Sequence, residues 1–240
     1  MKTEFNINGF TVEASYFQED IDGLFLPLLQ KLKGKKIVYL AAPPGAGKTT
    51  LSKLLARLSG GTGASGAAVQ AIGIDGFHYP QEYIKKSSVV RDGVALSMQS
   101  VKGCPESFDL PKLRESINQL REGNVRWPIY DRNLHDVVPN ALEVRGETIL
   151  IEGNWLLLDE PNWRELATFC DYSIFVSAPE SLLQQRLINR KITGGSSQAE
   201  AQAFYTHSDG PNVQRALKNR LPANCELSLF EDGKYAKCGS

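Results

Sequence analysis

The stretch Ala42-Pro43-Pro44-Gly45-Ala46-Gly47-Lys48-Thr49 constrains this chain more than any other part of it. It is preceded by Lys36 to Ala41, a short apolar run with Ile-Val-Tyr-Leu at its centre, which reads as a buried strand. It is followed by Leu51, Leu54, Leu55 and Leu58, spaced as one stripe of a helix. Strand, glycine turn and helix in that order make an anion site. The glycines let backbone N–H groups wrap a phosphate, and the helix N-terminus adds positive dipole. The residues match the pattern G-x-x-x-x-G-K-[ST] except at Ala42, where a methyl fits as long as φ stays negative. The competing reading is a glycine-rich turn with an exposed lysine, which needs all these features to coincide by chance. Gly45, Ala46, Gly47, Lys48, Thr49 and Thr50 are therefore expected to hold the phosphates of ATP. Lys48 would reach the β- and γ-phosphates, and the Thr49 hydroxyl would hold Mg²⁺.

Elsewhere, short apolar segments alternate with amphipathic ones. Val69 to Ile74, Thr148 to Ile151, Tyr172 to Val176 and Glu226 to Leu229 read as strands. Leu113, Ile117 and Leu120 mark a helix starting after Asp109, and Leu182, Leu183 and Leu187 mark another. Such alternation implies a parallel sheet covered on both faces. The fold class expected is α/β, a P-loop NTPase three-layer α/β/α arrangement with a mostly parallel central sheet and a small lid. Residues 5 to 14, with Asn8-Gly9, read as a hairpin. Residues 21 to 32 read as a helix starting near Gly23, which leaves Pro27 in its first turn. No linker divides the chain, so residues 1–240 are expected to be one P-loop domain, with 1–35 packed on it and about 186–200 as the lid. Gly194 to Ser197 would be a mobile loop. Leu58-Ser59-Gly60-Gly61 resembles a transporter ATPase signature, but its place directly after the phosphate-loop helix makes it a helix end, followed by a loop through Ala67.

Composition excludes several classes. Lys+Arg and Asp+Glu both number 27, so the net charge of zero argues against a nucleic-acid partner. No apolar run approaches the roughly 20 residues that span a bilayer, and Met1 to Phe10 lacks the apolar core of a secretory signal. Cys104, Cys170, Cys225 and Cys238 are few and scattered, which reads as reduced thiols and a cytoplasmic protein. Homodimerisation stays open.

A phosphate loop alone does not separate kinases from other nucleotide hydrolases, but no N/T-K-x-D guanine motif occurs. Asp75 ends a strand, where a carboxylate would stand beside the phosphate loop and accept a proton from an acceptor hydroxyl. It could equally be the turn residue of Asp75-Gly76. Glu152 ends the strand Ile149 to Ile151 and is placed to hold Mg²⁺ through water, or else to cap a loop as a structural carboxylate.

Four phrases carry a family resemblance: Asp75-Gly-Phe-His-Tyr-Pro80, Lys102-Gly-Cys-Pro-Glu-Ser-Phe-Asp109, Pro128-Ile-Tyr-Asp131 and Ile151-Glu-Gly-Asn154. From about residue 36 to about 221 the chain resembles the group that comprises pantothenate kinase, uridine kinase and phosphoribulokinase. His135-Asp-Val-Val-Pro-Asn140 and Asp209-Gly-Pro-Asn212 are similar to a bacterial subgroup labelled nucleoside kinase-like or fructose-transport-associated kinase. The resemblance implies that Asp75 is the base, Glu152 a metal-associated acid and Asp109 a contact to acceptor hydroxyls, although Asp109 before Leu110-Pro111 is also a good helix N-cap. Tyr130, Asp131 and His135 keep the spacing of a nucleoside-binding segment, while Arg132 and Asn133 depart from it. The Tyr-Ser-His of pantothenate kinase is likewise replaced by Tyr130-Asp131-Arg132, so neither analogy assigns the acceptor, and His135 could be structural. Arg186, Arg190 and Lys191 stand where related kinases carry a lid. Arg186 and Arg190 are four apart, so they share a helix face and could converge on a transferring phosphate, or form a solvated basic face. The reading overall is an ATP-dependent kinase acting on a hydroxyl of a sugar, nucleoside or pantothenate-like metabolite. The alternatives are a nucleotide-driven ATPase or switch acting on a protein partner, and a degenerate binding module.

Overall fold

The computed structural model describes residues 1–7, 10–61, 68–91, 93–123 and 125–238. The expected hairpin turn Asn8-Gly9 and most of the expected loop up to Ala67 lie outside them. β1 (Lys2–Ile7) and β2 (Phe10–Ser15) pair antiparallel. α1 (Gln18–Asp20) runs through a π-turn at Ile21–Phe25 into α2 (Leu26–Leu32). β3 (Ile37–Ala41), α3 (Lys48–Gly61) and β4 (Val69–Gly73) follow, then α4 (Gln81–Lys86) and the hairpin strands β5 (Ser88–Arg91) and β6 (Val94–Ser97). α5 (Leu110–Gln119) precedes a second hairpin, β7 (Val125–Asp131) and β8 (Asp136–Val144). The chain continues through β9 (Thr148–Gly153), β10 (Tyr172–Ser177), α6 (Glu180–Thr193), α7 (Gln198–Phe204), α8 (Gly210–Lys218), β11 (Cys225–Leu229) and β12 (Tyr235–Lys237).

Six strands form the central sheet in the order β12-β11-β10-β3-β9-β4, all parallel except the edge strand β12. The continuous apolar runs have a direct cause: both faces are buried. Val38 and Leu40 of β3, Leu150 of β9, and Ile174 and Val176 of β10 point into one core with α2, α3 and α6. Ile37, Tyr39, Ile149, Ile151 and Phe175 point into the opposite core with α5, Trp127 and Trp155. Phe5, Ile7, Tyr16 and Phe25 join the first core, so the N-terminal segment packs over the phosphate-loop helix.

The first helix does not start near Gly23. It starts at Gln18 and widens into the π-turn, where Leu26 N–H bonds to Ile21 O. The widened turn sits just ahead of Pro27, which has no N–H to give and whose ring would crowd the carbonyl four residues back. Two hairpins add strands that periodicity alone does not indicate. β5 and β6 are half-exposed and short, without a run of buried residues. β7 is interrupted by Pro128, and its pairing with β8 shifts register between Trp127 and Ile129. Gly194 to Ser197 is a short link, ended by Ser197, which caps α7 in a reciprocal pair with Glu200.

The β7–β8 hairpin lies against the turn that carries Asp75. Trp127 Nε1 donates to Gly73 O at 2.8 Å, and Phe77 meets the Trp127 ring edge-on at 4.7 Å. A Cβ on Gly76 would stand 2.3 Å from Pro128 O, so only glycine permits this approach. Gly76→Ala is expected to lower unfolding stability by roughly 1–3 kcal/mol in urea titrations. Gly23→Ala, which meets nothing within 4 Å, is expected to leave it unchanged or slightly higher.

Candidate active site

The loop after β3 has the conformation an anion cradle needs. Gly45 and Gly47 adopt φ of 84° and 80°, where a side chain would be strained. Ala42 is buried and keeps an ordinary φ, so the departure from the glycine pattern costs nothing. Ala46 N–H bonds to Pro43 O at 3.3 Å, and the Thr50 hydroxyl donates to Gly47 O at 2.7 Å. α6 packs on the loop from above, and a Cβ on Gly45 would stand 3.1 Å from Leu187 Cγ. Lys48 opens α3, so the helix N-terminus faces the cradle.

Glu152 is the buried carboxylate beside it. The Thr49 hydroxyl donates to Glu152 Oε1 at 2.8 Å, and Lys48 Nζ lies 3.8 Å from Oε2. β3 and β9 are direct neighbours, with Leu40 opposite Glu152, and this pairing brings the acid to the loop. Burial pushes the Glu152 carboxyl above its ordinary range, opposed by Lys48 and reinforced by nearby Asp75. Gly73 keeps β4 clear of it, since a Cβ there would stand 3.1 Å from Oε1. A hydroxyl and carboxylate oxygens suit a hard divalent cation, so the donor set fits Mg²⁺.

Asp75 sits half-buried in a 3₁₀ turn, Ile74–Phe77, at the carboxyl end of β4. His78 follows it. The His78 ring stacks on Phe108 at 3.8 Å, and its Nδ1 faces Ser107 O at 3.2 Å and Ser107 Oγ at 3.1 Å. Burial pushes the His78 imidazole down to about 4, against the pull of the Asp75 charge. A neutral imidazole therefore accompanies Asp75 at neutral pH. Lys102 Nζ donates to Tyr130 OH at 3.0 Å and to Gln81 Oε1 at 2.8 Å, and lies 4.5 Å above the Tyr130 ring.

Of the residues expected on the acceptor side, Asp75 and Tyr130 flank His78; the Tyr130 ring stands 6.1 Å from it, edge-on. Asp109 is the N-cap of α5, accepting from Lys112 N–H at 3.2 Å. Asp131 closes the β7–β8 turn by accepting from Asn133 and Leu134 N–H at 2.7 and 3.1 Å. His135 is exposed in that turn with φ of 53°. Arg186 and Arg190 do not converge as their spacing suggested. Arg186 Nη1 lies 3.5 Å from Gly45 O, on the loop, whereas Arg190 is exposed and its charged neighbours are Asp209 and Lys191. The one-turn rise between them carries Arg190 off the loop. His78 and Lys102 are absent from the residues expected from sequence. Both lie inside the phrases that carry the resemblance, but neither has a spacing that separates a site residue from a packed one.

This arrangement defines the P-loop kinase class of nucleotide-binding proteins. Residues 37–208 match the phosphoribulokinase/uridine kinase family, and the chain belongs to that family. It is 41% identical to the uncharacterised protein YggC of Escherichia coli K12 over 98% of both chains. It is 30% identical to Escherichia coli pantothenate kinase over 65% of this chain and 51% of that enzyme. The crystal structure of a fructose transport system kinase candidate from Silicibacter sp. TM1040 matches at a TM-score of 0.74 and 30% identity, over 84% of this chain and 98% of that one. YFH7 from Saccharomyces cerevisiae shares the fold, at a TM-score of 0.68 and 13% identity over 89% and 99% of the two chains. Among the described residues no helix is long and apolar enough to cross a membrane, and all four cysteines are free thiols.

Half-buried His78 makes stability depend on pH. Its folded pKa lies below its ordinary 6.5, so as pH falls the unfolded chain takes the proton first. The contribution is fully present above about pH 6.5 and is lost as pH falls through about 4. His78→Asn, which does not titrate, is expected to lose less stability than wild type between about pH 7 and about pH 4.5 in urea titrations. Equal losses would contradict a neutral His78.

Proposed function

We propose that the protein transfers the γ-phosphate of ATP to a hydroxyl group of a small metabolite, with Asp75 as the general base. The observation that carries this reading is the placement of Asp75 at the sheet edge, beside the Glu152–Thr49–Lys48 group and outside its hydrogen bonds. A carboxylate there is free to face an acceptor while Glu152 serves the nucleotide.

In this reading the N–H groups from Gly45 to Thr50 and the N-terminus of α3 bind the β- and γ-phosphates. Lys48 offsets their charge, turning from Glu152 to the phosphate oxygens. Thr49 and Glu152 would hold Mg²⁺, which would supply further charge neutralisation when bound. Arg186, already on the loop, stabilises charge on the transferring group, and Arg190 joins it when residues 186–200 close as a lid that excludes water. Asp75 takes the proton of the acceptor hydroxyl as its oxygen bonds to the γ-phosphorus and the bond to the ADP oxygen breaks. His78, neutral, leaves the Asp75 charge undiminished. Asp109, Tyr130, Asp131 and His135 are the proposed contacts to the acceptor; for His135 to reach it, the β7–β8 turn must move inward. The N-terminal residues 1–35 and the lid act with the rest as one catalytic domain, working in the cytoplasm on a small molecule rather than on nucleic acid.

ATP consumption is expected to depend on an added hydroxylated metabolite. Asp75→Asn is expected to lower kcat by at least about 10²-fold with ATP affinity kept, measured by coupled assay and calorimetry. Normal turnover in that variant would remove Asp75 as the base. Lys48→Ala is expected to cost most of the nucleotide affinity or turnover, and an unaffected variant would remove the phosphate-loop role.

A further inference from the structure

Five buried side-chain polar atoms have no hydrogen-bond partner among the described residues: Arg91 Nη1, Asn154 Oδ1, Ser208 Oγ, Asp209 Oδ2 and Gln214 Oε1. A buried polar atom left without a partner is destabilising, so folds do not collect them without cause. Arg91, the one cation among the five, meets α8 at Asn212. Asn154 lies two residues after Glu152, at the carboxyl end of β9. Arg91 ends β5, with its other terminal nitrogen 3.5 Å from Asn212 Oδ1. Ser208, Asp209 and Gln214 flank buried Asn212 on the π-turn Tyr205–Asp209 and α8.

Gly103 is where these segments meet. Its carbonyl accepts from Trp155 Nε1 at 2.9 Å, next to Asn154, and a Cβ on it would stand 3.9 Å from Asn212 Nδ2. Lys102, which holds Tyr130, is its neighbour in the chain. Gly103 thus links Asn212, the partner of Arg91, to the segment that holds Tyr130.

The contrast with Arg215 identifies the charge that is missing. The Arg215 guanidinium is held by Glu106 at 2.8 Å and by Glu160 at 2.5 Å. Arg91 forms no ion pair with any described carboxylate. It lines a pocket of about 290 Å³ together with Val89, Glu106, Glu160, Pro211 and Arg215, in which both carboxylates are already engaged by Arg215. A cation that is half-buried, pairs with no carboxylate among the described residues and has one nitrogen unsatisfied there is suited to an incoming anion.

We propose that Arg91, steadied by Asn212, binds an anionic group of the acceptor. The acceptors are then hydroxylated carboxylates or phosphates rather than neutral sugars or nucleosides. The proposal deepens the kinase reading and rests on it. Arg91 is a specificity residue in this account and takes no part in the phosphoryl transfer.

The test uses pairs with the same carbon skeleton, of which one member carries an anionic group: glycerate and glycerol, gluconate and glucose, pantothenate and its alcohol, ribose 5-phosphate and ribose. Each is titrated calorimetrically into the full chain loaded with a non-hydrolysable ATP analogue and Mg²⁺. The charged member of at least one pair is expected to bind at least about tenfold tighter, the carboxylate and phosphate pairs showing which anion fits. Arg91→Met is expected to remove that preference with analogue affinity and melting temperature unchanged, and Arg91→Lys to restore part of it. Asn212→Asp, which gives Arg91 a counter-ion, is expected to act like Arg91→Met. Equal or tighter binding of the neutral members, binding of no member of any pair, or a preference that survives Arg91→Met would overturn the proposal. Turnover of the same pairs separates it from the kinase reading. An anion that binds with the Arg91 dependence but is never phosphorylated sinks the kinase reading alone, while phosphorylation of neutral members only sinks the anion subsite alone.

Discussion

The buried Glu152 carboxylate, bonded to Thr49 and facing Lys48, ties the phosphate loop to the strand beside it. A carboxylate taken out of water costs several kcal/mol unless charges and hydrogen bonds meet it. Here both partners come from the first turn of α3, so the helix is fixed at the one position where its N-terminus faces the cradle. The central place of β3 between β9 and β10 follows from the same requirement. Gly73 on β4 and the packing of Leu187 over Gly45 then set the distance of the outer layers from this centre.

Outward from that centre the molecule divides by task. The phosphate side is a set of short-range contacts inside one strand–loop–helix unit. The proposed acceptor side is assembled from distant segments: the Asp75 turn, Lys102 to Asp109, the β7–β8 hairpin and α8. Its parts are held by individual bonds such as Trp127 to Gly73 O, Trp155 to Gly103 O and Lys102 to Tyr130. Such a build allows the acceptor pocket to vary among relatives while the nucleotide side stays put, which agrees with a family whose matched members include kinases of different metabolites.

What the sequence disclosed follows the same division. The central parallel strands and the phosphate loop were legible because burial on both faces leaves unbroken apolar runs, and because Gly45 and Gly47 occur where only glycine fits. The cap role of Asp109 was legible from Leu110-Pro111. The hairpins were not, since β5 and β6 lack a buried face and Pro128 breaks the alternation of β7. Pro27 misled the placement of the first helix, because a π-turn absorbs it in mid-helix. His78 and Arg91 stayed hidden for a different reason. Their significance lies in what surrounds them, a neutral ring lying against Phe108 in one case and no ion pair among the described residues in the other, and neither leaves a spacing in the chain.

The central claim is that the γ-phosphate leaves ATP for an organic hydroxyl and not for water. ATP labelled with ¹⁸O in its γ-phosphate, incubated with the protein, Mg²⁺ and a mixture of hydroxylated metabolites, tests this directly by mass spectrometry. The account predicts the label in an organic phosphate ester, in amount equal to the ADP formed. Label recovered only as inorganic phosphate, whatever metabolite is present, would contradict it.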